Sequence, residues 1–250
     1  MGNSFDYLIL FFVGCVAGAI NVIAGGGSFL TLPVLIFMGL PPVVANGTNR
    51  VGMLLQNSVA AWGFHRHRLL NWKYGIWAAL PAVCGATLGV WGALLVSDEV
   101  FKKGLAFLMI IVTLWTLWDP LKKDIPTASS SSFPATMTLG LGFFLIGIYV
   151  GFVQAGVGFM LLAVTTLAGF DLVRGNAIKV LAVLPTAFVT LPVFAWQNKV
   201  NWPLGLTLAV GTGIGALIGV RLTVFKGHHW VKGIVTVAVI IFALKLLLSN

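Results

Sequence analysis

Acidic residues are scarce in this sequence, and charged residues of either sign are few. Asp and Glu together number 6, Lys and Arg number 15, and charged residues make up 8% of the 250 positions. A soluble globular domain carries about 25% charged residues. The composition therefore excludes a domain whose whole surface faces water. We expect the basic residues behind the formal net charge of +9 to set the membrane topology and to contact lipid phosphates, and we expect no nucleic-acid partner.

Cysteine and histidine are equally rare. Cys15 and Cys84 lie inside apolar segments, where we expect free thiols that pack as small hydrophobic groups. The four histidines fall in predicted connections, so none is available inside the membrane as a base for a nucleophile. We therefore predict no metal site, no cofactor and no enzymatic activity.

Long apolar stretches fill most of the chain, of which 59% is hydrophobic. A helix that spans a bilayer needs about 20 apolar residues. The sequence therefore predicts an all-α integral membrane protein, a polytopic helical bundle. The first apolar run has no basic region before it, so we expect a retained membrane helix and not a removed signal peptide. The nearly charge-free stretches are 77–96, 105–118, 180–196, 204–220 and 231–248.

The chain repeats itself at a spacing of about 130 residues. Gly14-x-x-x-Gly18-x-x-Asn21 matches Gly147-x-x-x-Gly151-x-x-Gln154 at a shift of 133, and Asn71-Trp72 matches Asn201-Trp202 at a shift of 130. We predict a first repeat at 1–118, a polar cytoplasmic linker at 119–134 and a second repeat at 135–250.

Each half contains one helix that is too short to cross a membrane. The pieces 29–38 and 159–168 follow glycine-rich breaks and are about 15 Å long as helices. Such broken or re-entrant helices persist at membrane depth only where protein covers them or where they line a cavity. Three longer predicted helices follow in each half, at 43–64, 74–96 and 101–118, and at 173–196, 203–222 and 231–248.

Basic residues assign the two sides of the membrane. The connection 65–73, the linker, the turn 171–174 and the region 221–232 hold most of them and are predicted to be cytoplasmic. Each half then has an odd number of crossings, so the two repeats have opposite orientations in the membrane.

Two cations stand apart from the connections. Arg50 follows Ala45-Asn46-Gly47-Thr48-Asn49, and Lys179 lies in the matching stretch after Asn176. A charge at membrane depth is costly and usually functional, although a cation near a helix end can also extend to the interface. Cations, amides and glycine N–H groups without a carboxylate favour an anion. The predicted binding residues are Arg50, Lys179, Asn21, Asn46, Thr48, Asn49, Gln154, Asn176, Gly26, Gly27 and Ser28.

These motifs resemble the sulfite exporter TauE/SafE family of membrane permeases. The glycine motif that leads into Gly25-Gly26-Gly27-Ser28, the stretch 45–49 and the basic loop that ends in Asn71-Trp72 carry the resemblance, which covers about residues 5–248. The resemblance implies an inverted-repeat transporter for sulfite, sulfonates and related anions. Asn49 stands where the family usually has Ser, and 176–179 departs from the family's pattern, so the anion itself stays open.

Taken together, the sequence predicts a permease for small sulfur-containing anions that works by alternating access in a bacterial-type inner membrane. An anion channel and a non-transporting membrane partner subunit are the alternatives. The expected partners are the anionic substrate and the lipid bilayer, and association into a homo-oligomer is left open.

Overall fold

The computed structural model describes residues 4–118 and 133–226, and every regular element within these ranges is an α-helix. The predicted helix at 231–248 and most of the predicted linker lie outside the described residues. The helices are α1 (Ser4–Ile23), α2 (Ser28–Phe37), α3 (Pro42–Arg66), α4 (Trp72–Leu95), α5 (Asp98–Trp118), α6 (Phe133–Phe152), α7 (Val157–Leu167), α8 (Leu172–Trp196) and α9 (Trp202–Lys226).

The two predicted short helices are confirmed as α2 and α7, which have 10 and 11 residues. A break in left-handed backbone precedes each one, at Gly25 with φ +88° and at Gly156 with φ +67°. Glycine adopts such angles without the steric cost that a Cβ atom brings. The chain can therefore turn sharply at membrane depth, and each short helix runs back beside the helix that precedes it.

The length and composition of the helices fit a membrane protein. Four described helices are long and apolar enough to cross a bilayer. Large apolar side chains such as Leu80, Leu95 and Phe107 are exposed, as lipid-facing residues are. α3 is different, because it buries several polar side chains among its neighbours. The four spans are Ser4–Ile23, Trp72–Leu95, Val173–Trp196 and Trp202–Phe225.

The helices pair in a pattern that repeats when the halves are exchanged. α1 packs along α9 and α6 packs along α4, while α3 and α8 meet between them. α1 and α9 run parallel, because Gly14 lies against Leu208 and Gly18 against Thr212. α4 and α6 also run parallel, since Gly85 lies against Phe144 and Gly89 against Ile148.

The helices α3 and α8 run in opposite directions. Gly47 lies against Phe194, and the Arg50 guanidinium bonds to Thr190, so one residue number falls as the other rises. An inverted repeat requires this antiparallel relation between corresponding helices. The orientation of the two halves relative to a bilayer stays a prediction.

The predicted register between α1 and α6 is wrong by about one helical turn. Gly18 packs on the backbone of Thr212, and the residue in the equivalent place against Ala82 is Gly147, a shift of 129 and not 133. The counterpart of Asn21 is therefore Val150. Glycines spaced four apart fall nearly one above the next on a helix of 3.6 residues per turn, so the motif matches itself after a slip of four residues.

Candidate functional site

The two glycine breaks cross each other at the centre of the molecule. Gly158 N donates a hydrogen bond to Gly25 O at 3.2 Å. A Cβ atom on either glycine would lie 2.1 Å from the Cα atom of the other. Neither position therefore has room for a side chain. The crossing holds the C-terminal end of α1 in the first half against the start of α7 in the second half.

A narrow cavity lined by buried residues lies beside this crossing. Space for the centre of a water molecule amounts to about 20 Å³, which is enough for about one water. Five of its lining side chains are polar and the others are apolar, so the cavity offers both kinds of contact. The polar lining residues are Asn21, Gln56, Asn57, Gln154 and Lys179, and the apolar ones include Val22, Met53, Val157, Leu161, Val180 and Val183.

Gln154 lines the cavity with both polar atoms of its side chain buried and unpaired. Its side chain is 1% exposed, and neither Oε1 nor Nε2 has a hydrogen-bond partner among the described residues. A buried amide without partners costs about 1–3 kcal/mol. A ligand that accepts from Nε2 would remove part of that cost, so Gln154 is the clearest contact that the cavity offers.

Lys179 brings the positive charge into the cavity wall. Its Nζ atom donates to the carbonyl oxygens of Asn21 at 3.0 Å and Val22 at 3.3 Å, and to Oδ1 of Asn176 at 2.6 Å. These acceptors use all three N–H groups of the ammonium. They include carbonyls at the end of α1, where the helix dipole is negative. Lys179 thus joins the second half to the first and leaves its charge at the cavity.

Arg50 occupies the equivalent place in the other half but does not line the cavity. Its guanidinium is fully buried, with Nη1 donating to Thr190 Oγ1 at 2.8 Å and Nη2 to the carbonyl oxygens of Val150 and Gly151. The ring of Phe194 covers it at 4.6 Å. The structure therefore brings Arg50 to the end of α6 and not to the candidate site, because those carbonyls and the ring enclose its side chain.

Two predicted asparagines repeat this cross-connection. Asn46 Nδ2 donates to the carbonyl oxygen of Phe152 at 2.9 Å, and Asn176 Nδ2 donates to that of Ile23 at 3.2 Å. The first bond joins α3 to the last residue of α6, and the second joins α8 to the last residue of α1. Asn46 and Asn176 therefore anchor the breaks and do not line the cavity.

Thr48 and Asn49 face other helices. Thr48 Oγ1 accepts from the backbone N–H of Asn201 at 2.9 Å, next to the start of α9. Asn49 Oδ1 accepts from Thr31 Oγ1 at 2.7 Å, which joins α3 to α2. Both bonds fix the position of α3, so the structure places these two predicted residues in helix packing.

The glycine turn before α2 packs against α1. A Cβ atom on Gly27 would lie 2.0 Å from the carbonyl oxygen of Ala17, and Gly26 is buried beside it. Ser28 Oγ lies 3.5 Å from Met53 Sδ. None of Gly26, Gly27 and Ser28 lines the cavity, so of the predicted binding residues only Asn21, Gln154 and Lys179 meet there.

The sequence analysis missed several lining residues, and only some of them left a signal. Gln56 and Asn57 are polar residues within an otherwise apolar helix segment, one turn after Met53. That pattern is equally typical of helix contacts, and Asn57 Nδ2 does donate to Met53 O at 2.8 Å. The apolar lining residues, by contrast, cannot be distinguished in the sequence from residues that face lipid.

Neither buried cation pairs with an acid among the residues that the structure describes. The ion pairs found there join Lys103 to Glu99 and Arg174 to Asp171, and both are exposed. No described carboxylate therefore offsets the ammonium of Lys179 at the cavity, a setting that favours an anion over a cation.

Comparison with known proteins identifies the family of the chain. The chain is 32% identical to "Probable membrane transporter protein ORF9" of Sinorhizobium sp over 95% of this chain and 91% of that protein. It is 31% identical to a "Probable membrane transporter protein" of Haemophilus influenzae over 92% and 89%. It is 29% identical to "Probable membrane transporter protein YfcA" of Escherichia coli strain K12 over 97% and 90%. A family model described as sulfite exporter TauE/SafE matches residues 10–246, and the chain therefore belongs to the sulfite exporter TauE/SafE family of membrane transporters.

Proposed function

We propose that this transporter carries small sulfur-containing anions, such as sulfite or organosulfonates, across a bacterial inner membrane by alternating access. The family's description and the relatives' names support transport. The observation that carries the proposal is the narrow cavity between the two halves, which both the Lys179 ammonium and the unpartnered amide of Gln154 line.

The anion is held by one charge and by neutral donors. The Lys179 ammonium supplies an attractive potential, and Gln154 Nε2 is available to sulfonyl or sulfite oxygens. Asn21 Nδ2 and Asn57 Nδ2 each donate one N–H to Met53 and have a second N–H to offer. The apolar lining residues contact the organic part of a sulfonate. The cavity has room for about one water molecule, so entry of an anion requires its walls to separate.

The two buried cations act as reciprocal connections that open in turn. Arg50 lies 8 residues into α3, about 12 Å along the helix from its start, and Lys179 lies 7 residues into the antiparallel α8, about 10 Å from its start. The two connections are therefore displaced toward opposite ends of the bundle. Rocking one half against the other releases one connection while the other holds, and this exposes the cavity to one side at a time.

Export needs no coupling ion in this mechanism. With the cell interior negative, outward movement of one negative charge is favoured by about 2.3 kcal/mol per 100 mV. The absence of an acid partner for either cation among the described residues is compatible with such uncoupled movement.

The test measures flux of sulfite and methanesulfonate in proteoliposomes under an applied potential. Gln154→Leu and Lys179→Gln are expected to reduce saturable flux at least tenfold. Gln197→Leu is the matched control, because Gln197 is exposed at the end of α8 and lies outside the cavity. Unchanged flux in Gln154→Leu and Lys179→Gln would refute the site. Flux that rises without saturation in the wild type would identify an anion channel instead.

A further inference from the structure

A second recess lies at the ends of α3 and α9, far from the central cavity. The two helices run side by side to their last turns, where Gly63 allows the side chain of Val220 to approach closely. Beyond this contact the helices leave a space of about 400 Å³, which is within the range of small-ligand sites. We call it the α3–α9 groove and define it by Trp62, Arg66, His67, Leu217, Arg221 and Phe225.

The groove is apolar along its walls and cationic at its mouth. Trp62, Leu217 and Phe225 are 55%, 41% and 75% exposed, so their apolar surfaces face outward from the bundle. Arg66 and Arg221 are exposed at the helix ends. The Arg66 guanidinium lies 5.6 Å above the Trp62 ring, a cation–π contact that orients it toward the groove's end.

The two arginines lack an acidic partner within the described part of the chain. The ion pairs found there involve other residues. Two like charges that line the same recess repel each other, and an anion bound between them would remove that repulsion. Guanidinium groups hold phosphate oxygens through two parallel hydrogen bonds, which makes a phosphate the best-fitting anion.

The repeat supplies an internal comparison. At the shift of 130 that relates α3 to α8 and α4 to α9, the counterparts of Arg66 and Arg221 are Trp196 and Trp91. Both tryptophans are exposed, at 77% and 45%, on the opposite end of the bundle. The helix packing therefore does not require cations at these positions, and only the end that is predicted to be cytoplasmic carries them.

We propose that the α3–α9 groove binds one anionic phospholipid of the cytoplasmic leaflet. Its phosphate lies between Arg66 and Arg221, and an acyl chain runs along Trp62, Leu217 and Phe225. A lipid fits better than a soluble phosphate, because the apolar walls would be wet if only a headgroup were bound. Basic pockets between membrane helices on the cytoplasmic side recognise anionic headgroups by this chemistry.

The experiment compares lipid binding to the purified full-length protein by native mass spectrometry. Phosphatidylglycerol and phosphatidylcholine with identical acyl chains are titrated against the wild type and Arg66→Ala/Arg221→Ala. The matched control is Lys73→Ala/Arg174→Ala, which removes the same charge from exposed residues at the same predicted face but outside the groove. Each basic residue near an anionic leaflet contributes about fivefold to binding. We therefore expect about 25-fold weaker phosphatidylglycerol binding in the groove variant and less than a threefold change in the control.

Three results would overturn the proposal. Equal losses in the groove variant and the control would assign the effect to net charge alone. Equal losses for both lipids would mean that the arginines bind the phosphate that every phospholipid carries and do not select an anionic headgroup. Glycerol 3-phosphate that binds as tightly as the lipid would identify a soluble phosphate site.

Discussion

Replacing Gly158 with alanine should separate the two crossing breaks and destabilise the folded protein. The added Cβ atom would lie 2.1 Å from the Cα atom of Gly25, whereas carbon atoms in contact are about 3.5–4.0 Å apart. Since the neighbouring atoms belong to the backbone, they cannot rotate away, and the two breaks must move apart by about 1.4 Å.

The expected cost combines opposing effects. Overpacking of this kind costs about 1–3 kcal/mol, and the bond from Gly158 N to Gly25 O is weakened as well. Alanine in place of glycine returns about 0.5–1 kcal/mol through lower chain entropy. The net loss in the free energy of unfolding is therefore about 1–2 kcal/mol.

Denaturation in detergent micelles, followed by tryptophan fluorescence, measures this loss. Gly104→Ala is the matched control, because no heavy atom lies within 4 Å of a Cβ atom built on Gly104 in α5. The control should be as stable as the wild type or slightly more stable. If Gly158→Ala unfolds at the same denaturant concentration as Gly104→Ala, the close crossing of the breaks is refuted.

Three further substitutions separate packing from binding. Arg50→Met leaves the carbonyl oxygens of Val150 and Gly151 without their donor, so thermal unfolding in detergent should show a loss of about 3 kcal/mol, against less than about 0.5 kcal/mol for exposed Arg174→Met. Thr48→Val removes the acceptor for Asn201 N and should lower stability by about 1–3 kcal/mol with an unchanged KM for the anion, whereas a higher KM would place Thr48 in the binding site. Asp171→Ala removes the side chain that accepts from Val173 N and Arg174 N at the start of α8, so it should cost about 1 kcal/mol; an unaltered unfolding midpoint would show that this cap contributes nothing.

The sequence was sufficient for the helical architecture because that architecture follows from local properties. Apolar length predicts the spans, and glycine clusters followed by ten-residue apolar pieces predict α2 and α7. The start of α4 at Trp72 lies two residues before the predicted 74, because the side chain of Asn71 accepts from Tyr74 N and caps the helix there.

The register between the repeats could not be fixed by motif matching. Glycines four residues apart allow the same close helix contact after a slip of one turn. Motif matching therefore pairs Gly18 with Gly151, whereas the structure pairs it with Gly147. The hydrogen bonds decide the matter, because Asn46 and Asn176 bind Phe152 and Ile23, which are 129 residues apart.

The location of the buried cations also lay beyond the sequence. Arg50 and Lys179 occupy nearly equivalent positions, and the sequence offers no reason why only one should reach the cavity. The difference depends on residues at least 100 positions away from Arg50, namely Phe194 and the carbonyls at the end of α6. Gln154, by contrast, contributes to the cavity from the break itself, where a polar residue was already expected to be functional.

Access to the cavity from both sides of the membrane tests the alternating-access proposal most directly. Val183 lines the cavity and is 5% exposed, so Val183→Cys, in a chain with both native cysteines replaced by alanine, reports on entry. A membrane-impermeant thiosulfonate reagent is applied to either side of oriented vesicles. The proposal predicts that the introduced thiol is labelled from each side, and that methanesulfonate, which does not react with the reagent, slows the labelling; labelling from one side only, or at a rate that methanesulfonate does not change, would contradict it.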